Sequence, residues 1–212
     1  MDGGIDKTNG RTSYPSLILR KMYPESFQEV VVFLSKLPGL GPRSGERIAF
    51  HLFKCGEIEK FATLLLKLKE RVKFCSQCRN LTEEDPCKIC RDPERDSSLL
   101  LIVEEPSQLE VIENSKEYKG KYFVLGSKIS PWEGEKPQEL PLKEMEEILR
   151  ERKVKEVILG VNEELTALFL KDFLKKFPLK ITRLGRGIPV GARIEYVDEA
   201  TIREALRNRS EL

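Results

Sequence analysis

"CSQCRNLTEEDPCKIC", residues 75–90, separates two kinds of sequence. Upstream the chain reads as helix; downstream it alternates between strand and helix. Cys75 and Cys78 form one C-x2-C pair, and Cys87 and Cys90 form another after eight intervening residues. Each pair can bend around a metal as a tight knuckle, and four thiolates complete a tetrahedral zinc shell. Such a closed shell leaves no position for substrate, so the expected Zn2+ is structural and not catalytic. Disulfides are the competing use of these cysteines, but they need an oxidising compartment. The opening "MDGGIDKTNGRTSYPS" lacks the apolar stretch of a secretory leader, so the expectation is a cytoplasmic protein. Residues 75–98 hold too few apolar side chains to build a core and must be stapled.

Upstream, "LPGLGPRSGERIAFHLF" (37–53) breaks a helical region with glycines and prolines. "SFQEVVVFLSKL" suggests a helix capped by Ser26, with Glu29 completing a capping box. Pro38 and Gly39 end it, and Pro42 suits the first turn of the next helix, where its missing N–H costs nothing. Cys55-Gly56 stops that second helix, and a third is expected over about 57–74 from apolar residues spaced three or four apart. The Gly39-Leu40-Gly41 turn fits a helix-hairpin-helix. Glycine there permits positive φ and close approach of a ligand, and the free amides opening the second helix can hold a phosphate. Arg43 and Arg47, one helical turn apart, reach flanking phosphates. These contacts read no bases, so the expected DNA binding is sequence-independent and salt-sensitive. An ordinary tight helical corner with surface arginines is the competing reading. Cys55 and the lone His51 read as core or boundary residues.

Downstream, "LLLIVE" (99–104) is a nearly continuous apolar run, as for a strand buried on both faces. A helix from Pro106 to about Asn114, strand 122–126, helix 141–152, strand 156–161, helix 163–176 and strand 180–184 follow. This alternation predicts a largely parallel α/β domain. The end of the chain reads as glycine turns, a short strand and a helix capped near Asp198. Glu104 falls at a strand end, where ligands sit in open parallel sheets, and a carboxylate there is a candidate Mg2+ ligand. The only acidic company is Glu163 and Glu164 after Asn162, without an Asp-x-Asp, so a metal-free interaction surface is the better reading of Glu104.

The chain has 212 residues and a net charge of +2, room for one large domain or two small ones. Residues 1–74 carry 13 Lys/Arg against 8 Asp/Glu, so positive charge gathers toward the N-terminal end, a modest polyanion footprint. The expected organisation is a polar flexible tail (1–15), a helix-hairpin-helix domain (16–74), a zinc finger (75–98), an α/β domain (99–180) and a C-terminal strand-helix segment (181–212).

Taken together and in this order, the three stretches resemble the RecR family of bacterial recombination mediators, over about residues 16–207. "LPGLGPRSGERIAFHL" is similar to the family's helix-hairpin-helix, with Arg43 and Arg47 at its basic DNA-contacting positions. "CSQCRNLTEEDPCKIC" is similar to its four-cysteine finger, and "LLIVEEPSQLEVIE" with "KYFVLGSKISPWEG" to the opening of its Toprim domain, with Glu104 at the Toprim glutamate. "GRGIPVGARIEYVDEATIREAL" resembles the C-terminal segment. Relatives often carry Lys-Ser-Ala where this chain has Arg43-Ser44-Gly45. The resemblance implies a homodimer or homotetramer forming rings or partial rings around DNA. It also implies partnership with RecO and RecF, and loading of recombinase at single-strand gaps. No G-x4-G-K-[ST] loop is present, so nucleotide hydrolysis is not expected. The competing classes are a Mg2+-dependent Toprim enzyme that cleaves DNA and a zinc-stapled protein-interaction scaffold.

Overall fold

The computed structural model describes residues 23–127 and 140–209; the expected tail, the start of the first helix and most of the Pro/Gly-rich loop lie outside them. The chain forms two compact units, Met1–Glu70 and Arg71–Leu212.

In the first unit, α1 (Glu25–Ser35) and α2 (Pro42–Cys55) pair around Val31, Leu34 and Ala49, with Phe27 and Ile48 packed against them. The expected capping box at Ser26 and Glu29 does not form. Pro24 has an extended backbone and precedes the first helical residue, Glu25, so Ser26 already lies inside the helix. Gly45 faces α1 so closely that a Cβ there would lie 3.0 Å from the Val31 carbonyl oxygen and 2.6 Å from Ser35 Oγ. Glycine therefore sets the distance between the two helices, which explains its place inside a helix despite a propensity cost of about 1 kcal/mol against Ala. Gly56, at φ 65°, ends α2. His51 and Cys55 lie off the buried Gly45–Ala49 stripe and are exposed, contrary to the core reading. The third helix, α3 (Ile58–Arg71), is shorter than expected and buries none of its side chains.

The second unit opens with a two-stranded antiparallel hairpin, β1 (Lys73–Phe74) and β2 (Leu81–Thr82), and a single-turn helix α4 (Lys88–Arg91). The α/β part follows as β3 (Asp96–Val103), α5 (Pro106–Ser115), β4 (Gly120–Val124), α6 (Leu142–Glu151), β5 (Glu156–Gly160), α7 (Glu164–Leu174) and β6 (Lys180–Arg183). The sheet order is β4-β3-β5-β6, and every pairing is parallel. Central β3 is covered on both sides, and Leu100 to Val103 are at most 1 % exposed. Leu100 and Ile102 face one core with Met145, Leu149, Leu170 and Leu174; Leu101 and Val103 face another with Leu109 and Tyr122. That two-sided burial explains the unbroken apolar run.

The short strand expected near 194 is instead a 3-10 turn, Ile194–Tyr196. Its amides are taken locally: Tyr196 N–H donates to Arg193 O at 3.1 Å and Val197 N–H to Ile194 O at 3.1 Å. The final helix α8 (Glu199–Arg207) is capped as anticipated, with Asp198 Oδ1 accepting from Thr201 N–H at 3.0 Å. Among the described residues no helix is long and apolar enough to cross a membrane.

Replacing Gly45 by Val should push α1 from α2 and cost about 1–3 kcal/mol, the usual range for overpacking. Thermal unfolding of the full chain would register this as a lowered Tm.

Candidate metal centre and nucleic-acid interface

The C-x2-C pairs fold as separate knuckles and meet. In the first, Arg79 N–H donates to Cys75 O at 2.8 Å and Cys75 N–H to Asn80 O at 2.8 Å; Arg79 takes φ 61° to close the turn. In the second, Cys87 caps α4 and Cys90 lies within it. Asp85 holds the intervening loop by accepting from Ser76 N–H at 2.8 Å and Ser76 Oγ–H at 3.0 Å. The four Sγ atoms lie within 4.8 Å of one another, and Cys78 and Cys87 are 3.5 Å apart. Zinc–sulfur bonds of about 2.3 Å in a tetrahedron require sulfurs about 3.8 Å apart, so the cluster fits zinc. All four thiols are unbridged. Hydrogen bonding to the Cys87 and Cys90 sulfurs, together with burial, pushes the Cys78 thiol up, while the same contact pulls the Cys87 thiol down.

The finger is fastened to the sheet. Val124 N–H, at the end of β4, donates to Cys78 O at 2.8 Å. Lys121, also on β4, donates to the carbonyls of Ile89, Cys90 and Asp92 at 3.0, 3.0 and 2.7 Å. Arg95 forks onto Glu113 of α5 at 2.8 and 2.5 Å, and Tyr122 Oη–H donates to Glu113 at 2.6 Å. Burial pulls the Glu113 carboxyl up, but the Arg95 guanidinium and the Tyr122 hydroxyl together pull it further down, so it stays below the usual carboxylate range. Lys121 and Arg152, whose Nη2 lies 3.6 Å from Cys90 Sγ, escaped sequence reasoning. Lys121 opens the stretch that resembles the start of the Toprim domain but has no role readable there, Arg152 belongs to no motif, and only the fold brings them to the cysteines.

Glu104 follows β3 directly and is 5 % exposed. Its Oε1 accepts from the amides of Asn162 and Glu163 at 3.0 and 3.1 Å, and its Oε2 from Gln108 Nε2–H at 3.0 Å. Gln108 Oε1 in turn accepts from Glu104 N–H at 2.8 Å. The carboxylate thus joins the carboxyl ends of β3 and β5. The expectation that Glu104 itself presents an acidic contact to a partner is revised: both oxygens are turned inward, so it shapes that rim without being its surface. Gln108, i+4 from Glu104 and not singled out in the sequence, is its positioning partner. Glu164 is engaged elsewhere, pairing with Arg183 and Arg186 at 2.8 and 2.9 Å. Among the described residues, the grouping of three or more metal-ligating side chains is the four-cysteine set.

In the first unit, Gly39 has φ 76°, where a side chain would be strained, while Gly41 is extended at φ −96° and serves as N-cap of α2. Only Gly39 therefore needs positive φ. No side chain caps α2, and its first turn holds Pro42 and no acidic residue. Arg43 and Arg47 are exposed and form no ion pair or side-chain hydrogen bond among the described residues. The helix start thus presents uncapped amides, the positive end of a dipole and two free guanidiniums.

Three family profiles match the second unit: the four-cysteine zinc finger domain of RecR over residues 72–92, the Toprim domain over 98–185 and the RecR C-terminal domain over 187–210. The chain is similar to Recombination protein RecR of Thermobifida fusca, at 44 % identity over 197 residues, spanning 90 % of this chain and 99 % of the relative. It is similarly close to the proteins of that name from Moorella thermoacetica and Lactococcus lactis, at 42 % identity each over 196 residues and 90 % of this chain, covering 98 % and 99 % of those relatives. The chain belongs to the RecR family. RecR membership places it in DNA recombination and repair. It identifies the β3–β6 sheet as a Toprim domain and Cys75, Cys78, Cys87 and Cys90 as the ligands of one structural zinc.

Cys87→Ser should lower bound zinc below one per chain and reduce Tm; metal analysis and thermal unfolding check both. Glu104→Gln sets an amide donor against the Gln108 donor and weakens the two amide bonds. The loss should be about 1–3 kcal/mol, read by denaturant unfolding.

Proposed function

We propose that the chain is a sequence-independent DNA-binding mediator that acts as a clamp, working with RecO and RecF to load recombinase at single-strand gaps. The observation that carries the reading is the open N-terminus of α2: uncapped, with no acidic residue in its first turn, and with Arg43 and Arg47 exposed and without an ion pair among the described residues. Gly39 and Gly41 leave room there, since nothing lies within 4 Å of where a Cβ would sit on either. A phosphate can accept from the freed amides while the arginines pair with its neighbours. Such binding positions a backbone and breaks no bond, so we assign the chain no catalytic role. It acts in the cytoplasm at the nucleoid, on single- and double-stranded DNA.

A homodimer or homotetramer completes the proposal. The exposed apolar side chains of α3, among them Phe61, Leu64, Leu65 and Leu68 at 41–57 % exposure, support a second copy packing on this unit. Burial of about 25 cal/mol per Å2 would favour that association. Linked copies would convert weak single contacts into useful avidity. Contacts to RecO and RecF are assigned to the rim shaped by Glu104.

Fluorescence anisotropy of labelled single- and double-stranded DNA, titrated at several salt concentrations, tests the reading. Binding should be indifferent to sequence and weaken steeply with salt. Arg43→Glu with Arg47→Glu should abolish it while zinc content and Tm stay at parent values. Single Ala substitutions should each reduce the salt slope by about 1. Unchanged binding by the double variant would remove this turn from the DNA site. A solution mass equal to one chain at all working concentrations would count against the clamp.

A further inference from the structure

Four thiolates around Zn2+ make a dianion, and this one sits among buried groups: Cys75, Cys78 and Cys87 are at most 4 % exposed. A buried charge needs counter-charge or dense hydrogen bonding. The finger's own arginines are engaged in other contacts. Arg91 pairs with Glu84, Arg95 with Glu113 and Asp92, and Arg79 with Glu144. Two cations from the Toprim domain are different. Lys121 is 6 % exposed and its ammonium contacts three carbonyls but no carboxylate among the described residues. One of those carbonyls belongs to the ligand Cys90 itself. Arg152, at the end of α6, likewise has no carboxylate partner among the described residues. Its Nη2 donates to Gln77 Oε1 at 3.0 Å and reaches Cys90 Sγ at 3.6 Å, while its Nη1 is buried without an acceptor among the described residues. Two cations lacking carboxylates thus converge on one dianion.

We propose that Lys121 and Arg152 are the counter-charges of the zinc site: together they neutralise the tetrathiolate, hold the metal against exchange and blunt the nucleophilicity of the Cys90 sulfur. Lys121 acts through the α4 backbone and is a positioning residue; Arg152 acts on the thiolate by an N–H···S contact. Both come from the Toprim domain, so zinc retention and the folding of that sheet are coupled, as for outer groups that tune other metal sites. The proposal rests on the four-cysteine zinc reading.

The test uses the full zinc-loaded chain and the variants Arg152→Gln, Arg152→Lys and Lys121→Met. Zinc release to excess chromophoric chelator is timed, and the thiolate-to-metal absorption bands of the Co2+-substituted chain are recorded. Arg152→Gln should release zinc about tenfold faster or more, with Arg152→Lys within about threefold of the parent. The Co2+ bands of Arg152→Gln should move to longer wavelength, because thiolates stripped of a cation donate charge more readily. Lys121→Met should behave like Arg152→Gln; if it does not fold, the Arg152 pair decides alone. Parent-like release and bands in Arg152→Gln would overturn the proposal, as would equal acceleration by Gln and Lys, which would mark lost packing and not lost charge. A parent chain that holds no zinc as purified would instead overturn the underlying site reading.

Discussion

The four-thiolate cross-link is the constraint on which the second unit depends. Between Arg71 and the start of β3 at Asp96, the chain has only short elements: a hairpin of two two-residue strands and a single turn of helix. Neither could persist alone, since a nucleated helical turn or an isolated hairpin is marginal in water. Four thiolates on one zinc cross-link them into one lobe, and the lobe is bonded to the sheet. Cys78 O takes the Val124 amide; the next two amides, of Leu125 and Gly126, donate to Val103 and Glu104 at 2.9 Å each. A continuous set of backbone bonds thus runs from a zinc ligand to the strand-end glutamate.

Two chain turns at helix starts are treated in opposite ways. The amides leading into α7 are filled from within, by a nearly buried Glu104 carboxylate held in place by Gln108. That charge stabilises the joint between β3 and β5 and is spent on the fold. The start of α2 has no such internal partner. Its cap is a glycine, its first residue a proline, and its first charge is Arg43, which has no ion pair among the described residues. A helix end left open in this way has hydrogen-bonding capacity to offer to a polyanion.

Legibility in the sequence followed the range of the interactions involved. The zinc ligands and the order of strands and helices were readable because spacing and periodicity are local properties of the chain. The Asp198 cap was readable for the same reason. Ser26 misled because Pro24 imposes its own boundary two residues earlier. The strand expected near residue 194 failed because a run of suitable residues still needs a neighbouring strand, and its amides bond locally instead. His51 and Cys55 could not be placed without knowing which face of α2 meets α1.

The sequence by itself determined the elements, the metal and the place where charge collects: C-x2-C pairs, an apolar run for a doubly covered strand, and a glycine-broken helix entry with arginines one turn apart. Each is encoded within a few consecutive residues. Tertiary structure decided what those residues do to one another. It turned Glu104 inward, because amides 58 and 59 residues away meet its carboxylate. It made Gly45 a spacer between helices, and it drew Lys121 and Arg152 to Cys90, 31 and 62 residues away. Those relations depend on packing across the chain, and only folding brings their members together.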